Sequence, residues 1–204
     1  MPLRLSLFVL MLLGAAEASA FNTFTNIAIK TDDRDKVIQT LRDLKRRAYV
    51  SPLTAGYIVV FDAGTERMPN TLPELVVTLS ERLKCATIGV YDHNDSLLIL
   101  VTAKDGQKVD HYASNPGYFE GKRDPPVGGD SSKIQAALGL QNENKRLQEL
   151  LTSQSYDIEY ERHNEIIKVL GLPDYCSAAG HAYFRADTLP WKYDRSKWEI
   201  IGQP

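Results

Sequence analysis

Residues 85–113 read CATIGVYDHNDSLLILVTAKDGQKVDHYA, and the fold of the whole chain turns on how this stretch is parsed. Three runs, CATIGVYD, SLLILVTAK and QKVDHY, are rich in β-branched and aromatic residues that suit a pleated surface. Asp105-Gly106 separates the second run from the third. Asp-Gly between β-rich runs is a strong hairpin signal, because both central residues of the tight turn need positive φ. The first and second runs pair across His93-Asn94-Asp95. A meander of this kind must bury at least one of its faces, so the next question is what covers it.

The cover lies upstream. In MPNTLPELVVTLSERLK (68–84), Asn70 or Thr71 can cap a helix with Pro73 in its first turn. Leu72, Leu75, Val76, Leu79 and Leu83 then fall on one side of that helix. Before it come RAYVSP (47–52) and GYIVVFD (56–62), β-rich runs joined by a turn around Thr54, Ala55 and Gly56. Pro52 makes the first of them short or an edge strand. Earlier still, TFTNIAIKT (23–31) alternates at Ile27 and Ile29. Asp32, with Asp35 three residues on, is an acceptable start for a helix carrying Val37, Ile38, Leu41 and Leu44 at helical spacing. The order is β-α-β-β-α-β-β-β. Its first six elements match the split βαβ or ferredoxin-like arrangement, with two helices over one face of an antiparallel sheet, and the last two strands extend that sheet as a hairpin.

Downstream the pattern turns helical. Asp130 caps SSKIQAALG, which stops at Gly139. ENKRLQELLTSQ (143–154) places Leu147, Leu150 and Leu151 on one stripe. IEYERHNEIIKVLGLP (158–173) carries Ile166, Ile167 and Leu170 and ends in Gly171 and Pro173. The tail from Ser177 holds Tyr183, Phe184, Trp191 and Trp198, which pack as a short strand and aromatic coil. The expected fold is therefore α+β: a ferredoxin-like sheet portion (21–114), a Pro/Gly-rich connecting loop (115–130), and a helical, aromatic C-terminal portion (131–204) continuous with the sheet as one domain.

Composition narrows the class. The chain has 204 residues, with 43% hydrophobic, 25% charged and a net charge of −2. These are values of an ordinary globular protein, and no global charge draws it to nucleic acid or anionic lipid. MPLRLSLFVLMLLGAAEASA (1–20) places Arg4 before an apolar run from Leu5 to Ala16 and closes on Ala18-Ser19-Ala20. That is the pattern of a cleaved secretory leader, so a periplasmic or secreted product is expected, or a cytoplasmic one if the start codon is misplaced. No later stretch is apolar over a membrane-spanning length. Cys85 and Cys176 could join the two halves in a disulfide or remain as two buried thiols, and spacing leaves both open.

Three groups of phrases, taken together, resemble an uncharacterised bacterial protein family with no assigned activity. They are FTNIAIKTDDR with RRAYVSP and GYIVVFD; YASNPGYFEG with DPPVGGD; and ERHNEIIKVLGLP with the aromatic stretch after it. The resemblance runs from about Phe24 to Trp191. Members of that family begin near the FTN phrase, so the leader departs from the pattern. The resemblance implies no catalytic residue.

Candidate sites concentrate between the sheet and the helices. Residues 112–130, YASNPGYFEGKRDPPVGGD, form a loop longer than most connections, of a length that is often functional. Its binding candidates are Tyr112, Tyr118, Phe119, Lys122 and Arg123; the plainer reading is a connection stapled by Tyr118 and Phe119 and stiffened by Pro125 and Pro126. Gly128-Gly129 runs into a helix start that could take an anion, but Asp130 puts a carboxylate there. Neither phosphate-binding glycine motif is present. Asp92, His93, Asp110 and His111 lie near strand ends and would bind a metal or work as acid and base if their strands bring them together. Glu159 and His163 are four apart on one helix face, with Glu161 and Glu165 on a neighbouring one; such spacing can hold a metal but lacks the HExxH order, and a solvated charged face explains it better. No GxSxG is present, and Ser114 reads like any loop serine. The exposed aromatics would make a recognition patch, but burial in a second core is favoured. The expected function is a non-enzymatic, exported binding domain for a protein or small ligand, requiring no cofactor. The alternative is a small metal-assisted hydrolase using the two Asp/His pairs.

Overall fold

The computed structural model describes residues 23–140, 145–154, 159–188 and 193–202. The expected leader, and Trp191, lie outside the described residues. The N-terminal elements are β1 (Thr23–Ile29), α1 (Arg34–Asp43), β2 (Ala48–Val50), β3 (Ile58–Asp62), α2 (Ala63–Arg67) and α3 (Leu72–Leu83). The meander follows as β4 (Ala86–His93), β5 (Leu97–Lys104) and β6 (Gln107–Ala113). After the long loop come α4 (Ser131–Leu138), α5 (Lys145–Thr152), α6 (Glu159–Leu170), α7 (His181–Ala186) and a final strand, β7 (Glu199–Ile201). The fold is α+β. The strands form one seven-stranded sheet in the order β6-β5-β4-β1-β3-β2-β7, with every neighbouring pair antiparallel.

The two hairpins stand where the sequence places them. Asn94 and Asp95 have φ of 54° and 51°, and Asp105 and Gly106 have 51° and 86°, the left-handed pairs that close tight turns. Helix α1 is capped one residue later than expected: Asp33, not Asp32, accepts from Lys36 N at 3.0 Å. At α3 neither Asn70 nor Thr71 supplies a side-chain cap. Thr71 instead donates its hydroxyl to Met68 O at 2.7 Å, and Pro73 sits in the first turn. Asp130 caps α4 through Lys133 N, and Gly139 ends that helix at φ 68°. The short helix α2 is not visible in the hydrophobic pattern. Asp62 starts it by accepting from Thr65 N at 2.8 Å while holding Arg46 in a two-pronged ion pair.

Helices cover both faces of the sheet, not one. On the first face, Val37, Leu41, Val76 and Leu79 of α1 and α3 are fully buried against Ile27, Ile29, Ile58 and Val60. Gly89 permits the close approach of α3: a Cβ there would lie 2.4 Å from Val76 and 3.1 Å from Leu72. On the second face, Ile134, Leu147, Leu150, Leu151, Ile166 and Ile167 of α4, α5 and α6 pack on Phe24, Ala28, Val59, Ile88, Leu98 and Leu100. The reason lies in the strands themselves. Ile58-Val59-Val60-Phe61 is apolar on both sides, as strands between two helical layers are, and β3 is buried throughout. Asn26, on the central strand β1, ties the later half down by donating to Cys176 O at 2.9 Å and Ala179 O at 3.0 Å.

The tail closes the far edge. Strand β7 pairs with β2, and Trp198 just before it packs at 5.0 Å from Phe61 and 4.7 Å from Phe184. Cys85 and Cys176 are both free thiols on opposite faces of the sheet. Burial raises the pKa of each, to about 11 for Cys85.

Candidate functional site

Strand alternation sorts the residues at the end of β4. Asp92 points to the α6 side and is fully buried, whereas His93 points the other way. Helix α6 meets Asp92 with its first turn. Its inward stripe, Ile166, Ile167 and Leu170, continues back through His163, Arg162 and Glu159 at the same helical spacing. These three polar residues are therefore buried, which corrects the expectation of a solvated charged face for Glu159 and His163; Glu161 is exposed, and Glu165 is half-buried and pairs with Lys168 at 3.2 Å.

A buried polar cluster results. His163 Nδ1 lies 3.2 Å from Asp92 Oδ2, with Phe24 stacked on the imidazole at 5.9 Å. Arg162 donates to Tyr112 Oη and, at 2.6 Å, to Ser153 O, and its Nε lies 3.2 Å from Glu159 Oε2. Ser114 Oγ accepts from Leu98 N at 2.9 Å and also hydrogen-bonds Glu159. Burial pushes the Glu159 carboxyl above the usual carboxylate range, against the opposing pull of Arg162 and Ser114.

The 112–130 loop forms the outer wall over this cluster, bordering a half-open cavity of about 340 Å³. Ser96, Ser114, Asn115, Arg123, Glu159 and Arg162 line it, with Tyr118 and the prolines 125 and 126. Two devices hold the loop. Ala113 and Val127 exchange backbone hydrogen bonds at 3.0 and 2.9 Å, and Asp110 accepts from Gly129 N and Asp130 N, both at 3.0 Å. Gly128 makes this closure possible, because at φ 71° a Cβ would sit 1.9 Å from His111 O.

The loop candidates divide. Tyr118 and Arg123 line the cavity; Tyr112 is buried and supports Arg162 from behind; Lys122 pairs with Glu120 at 2.6 Å on the surface. Phe119, 69% exposed, faces the opposite side. There it lines an apolar groove of about 390 Å³ with Leu72, Tyr91, Ile99, Val101 and His111. His93 packs between, at 5.3 Å from both Tyr118 and Phe119 and with Nδ1 2.9 Å from Tyr91 Oη.

The strand register keeps the two Asp/His pairs apart. Asp92 and Asp110 oppose Leu98 and Thr102, four residues apart along β5 (about 13 Å) and on opposite sides of that strand. Among the described residues no group of three or more His, Cys, Asp or Glu side chains is placed to hold a metal ion. The Asp92–His163 pair orients an imidazole as a catalytic dyad does. His163 Nε2, however, meets no hydrogen-bond partner among the described residues, and the ring is fully buried. Ser96, Asn115, Gln154, Glu159 and Arg162 line the cavity without having been singled out as binding residues. The signal available for two of them was the extension of the α6 stripe toward its N-terminus. Comparison with protein-family models, with curated proteins and with solved structures finds no match to this chain.

Proposed function

We propose that this protein is a non-enzymatic ligand-recognition module that takes a small polar molecule in the cavity beneath the 112–130 loop. The observation that carries this reading is the cavity itself. Its size lies within the range of small-molecule sites, and buried charged groups line its floor while a pinned loop forms its wall. A small ligand fits this geometry better than a protein surface does, because the polar groups converge inward. The scaffold reading is the split βαβ layout. It is supported by the inner strand order β4-β1-β3-β2 and by α1 and α3, which pack on the same face. The leader pattern of residues 1–20 supports an exported, periplasmic or secreted location.

The test is ligand-dependent stabilisation. A panel of amines, amino acids, carboxylic acids and polyols is screened by thermal unfolding. A true ligand at a hundred times its Kd adds about 2.7 kcal/mol to stability. The gain should vanish in Asn115→Leu, which places an apolar side chain in the wall. Absence of stabilisation by every class, or stabilisation unchanged in Asn115→Leu, would remove the reading.

A further inference from the structure

The apolar groove on the α3 face of the sheet is built separately from the cavity. Register sets Tyr91 of β4 beside Ile99 of β5, and Val101 of β5 beside His111 of β6, so four side chains of one face make its floor. Leu72 and Pro73, at the start of α3, and Phe119, from the long loop, stand as its sides. Those sides are stiff. Pro69 and Pro73 fix the backbone leading into α3, and the Phe119 ring is held 5.2 Å from Tyr118 and 5.3 Å from His93. Phe119 is nevertheless 69% exposed, a large apolar ring left in water beside an apolar hollow.

The chemistry of the lining selects a ligand class. No acid, lysine or arginine lines the groove, and burial with Lys108 nearby favours the neutral imidazole of His111, against Asp110. An ion entering such a lining would lose water without gaining a counter-charge. Two polar side chains, His111 and Asn70, reach the groove without a hydrogen-bond partner among the described residues, whereas the Tyr91 hydroxyl is engaged by His93 at 2.9 Å. Apolar walls with one or two open polar groups suit a neutral molecule with one hydrogen-bonding edge. Size narrows this further. An apolar cavity of about 150 Å³ holds one benzene ring. The groove's 390 Å³ therefore leaves room for about two fused rings. The rings of Phe119, Tyr91 and His111 match an aromatic ligand better than a flexible chain, which would also give up more freedom on binding.

We infer that this groove is a second ligand site and that it takes an uncharged bicyclic aromatic molecule, its rings over Ile99 and Val101 against Phe119 and its polar edge toward His111 and Asn70. The inference stands apart from the cavity's ligand, because the two sites share no lining residue.

Calorimetric titration of the full chain with indole, N-methylindole, indoleacetate and hexanol tests the inference. Indole should bind at least tenfold more tightly than indoleacetate, which carries a charge, and than hexanol, which carries no ring. It should bind severalfold more tightly than N-methylindole, which has no N–H to donate. Phe119→Ser, at an exposed position, should weaken indole at least tenfold, and His111→Ala should erase the preference over N-methylindole. Sedimentation of the unliganded protein and of Phe119→Ser reads the remaining possibility, a second copy of the chain. Absence of indole binding, indole affinity unchanged in Phe119→Ser, or equal binding of any of the other compounds overturns the inference. So does a dimer that Phe119→Ser dissociates, which would make the second copy the occupant.

Discussion

His181 illustrates how single side chains couple this fold to pH. Its ring lies 4.7 Å from Tyr49 at the start of α7. Burial, with Arg185 and Arg47, holds its pKa below the ordinary 6.5, while Asp62 opposes them. His93 and His111 are lowered in the same direction, again chiefly by burial. Between the lowered values and 6.5 the unfolded chain binds more protons than the folded one, so stability rises with pH there. The contribution is complete above 6.5 and is lost as pH falls through the folded values. His181→Phe should therefore reduce, without abolishing, the acid-side decline in urea midpoint measured from neutral pH downward. At this scale the sequence was legible where side chains act on near neighbours. Asp130 as a cap and the Asp-Gly turn are local chemistry and were read directly. Glu159, Arg162 and His163 were not, because charge on a helix ordinarily means solvent, and burial is made tolerable by partners that the helix pattern does not show, among them Asp92, Tyr112 and Ser114, remote in the chain.

Elements differ in how much of their stability is local. Helices α1, α3 and α4 carry their own periodicity and could be drawn from spacing alone. Strand β7 has none: three residues, of which Ile200 is exposed, form a strand only because β2 offers a free edge and Trp198 anchors the approach. Trp198 meets Phe61, Tyr175 and Phe184 at 5.0, 5.3 and 4.7 Å. Trp198→Ala should cost about 3–5 kcal/mol, the range for truncating a large buried aromatic. In denaturant titrations the loss should come with rapid amide exchange along Glu199–Ile201. Unchanged exchange there would show that β7 holds without its anchor. Helix α2 escaped the sequence for the opposite reason: its capping aspartate is the last residue of β3, so strand and helix share a residue.

At the scale of the molecule, one sheet serves two cores. The α1/α3 layer was foreseen, and the second layer was not assigned to the opposite face, although the unbroken apolar runs of β3 and β5 contain that information. A strand that is apolar on both sides has no solvent face to offer. A chain ending at residue 114 would leave Phe24, Val59, Phe61, Ile88 and Leu100 uncovered. Such a fragment should show no cooperative thermal transition and should bind hydrophobic dyes, whereas the full chain should unfold in one step. A sharp transition in the fragment would mean that the first layer is sufficient by itself.

Burial on both sides also decides where this protein has room to change. Strands β1, β3 and β4 are buried almost end to end, so nearly every side chain they carry is packed against a helix. Diversification is left to the rim, where β6 is half open and the long connection after it arches over the polar chamber. A lineage built on this scaffold can reshape that chamber by rewriting the arch while its interior stays untouched.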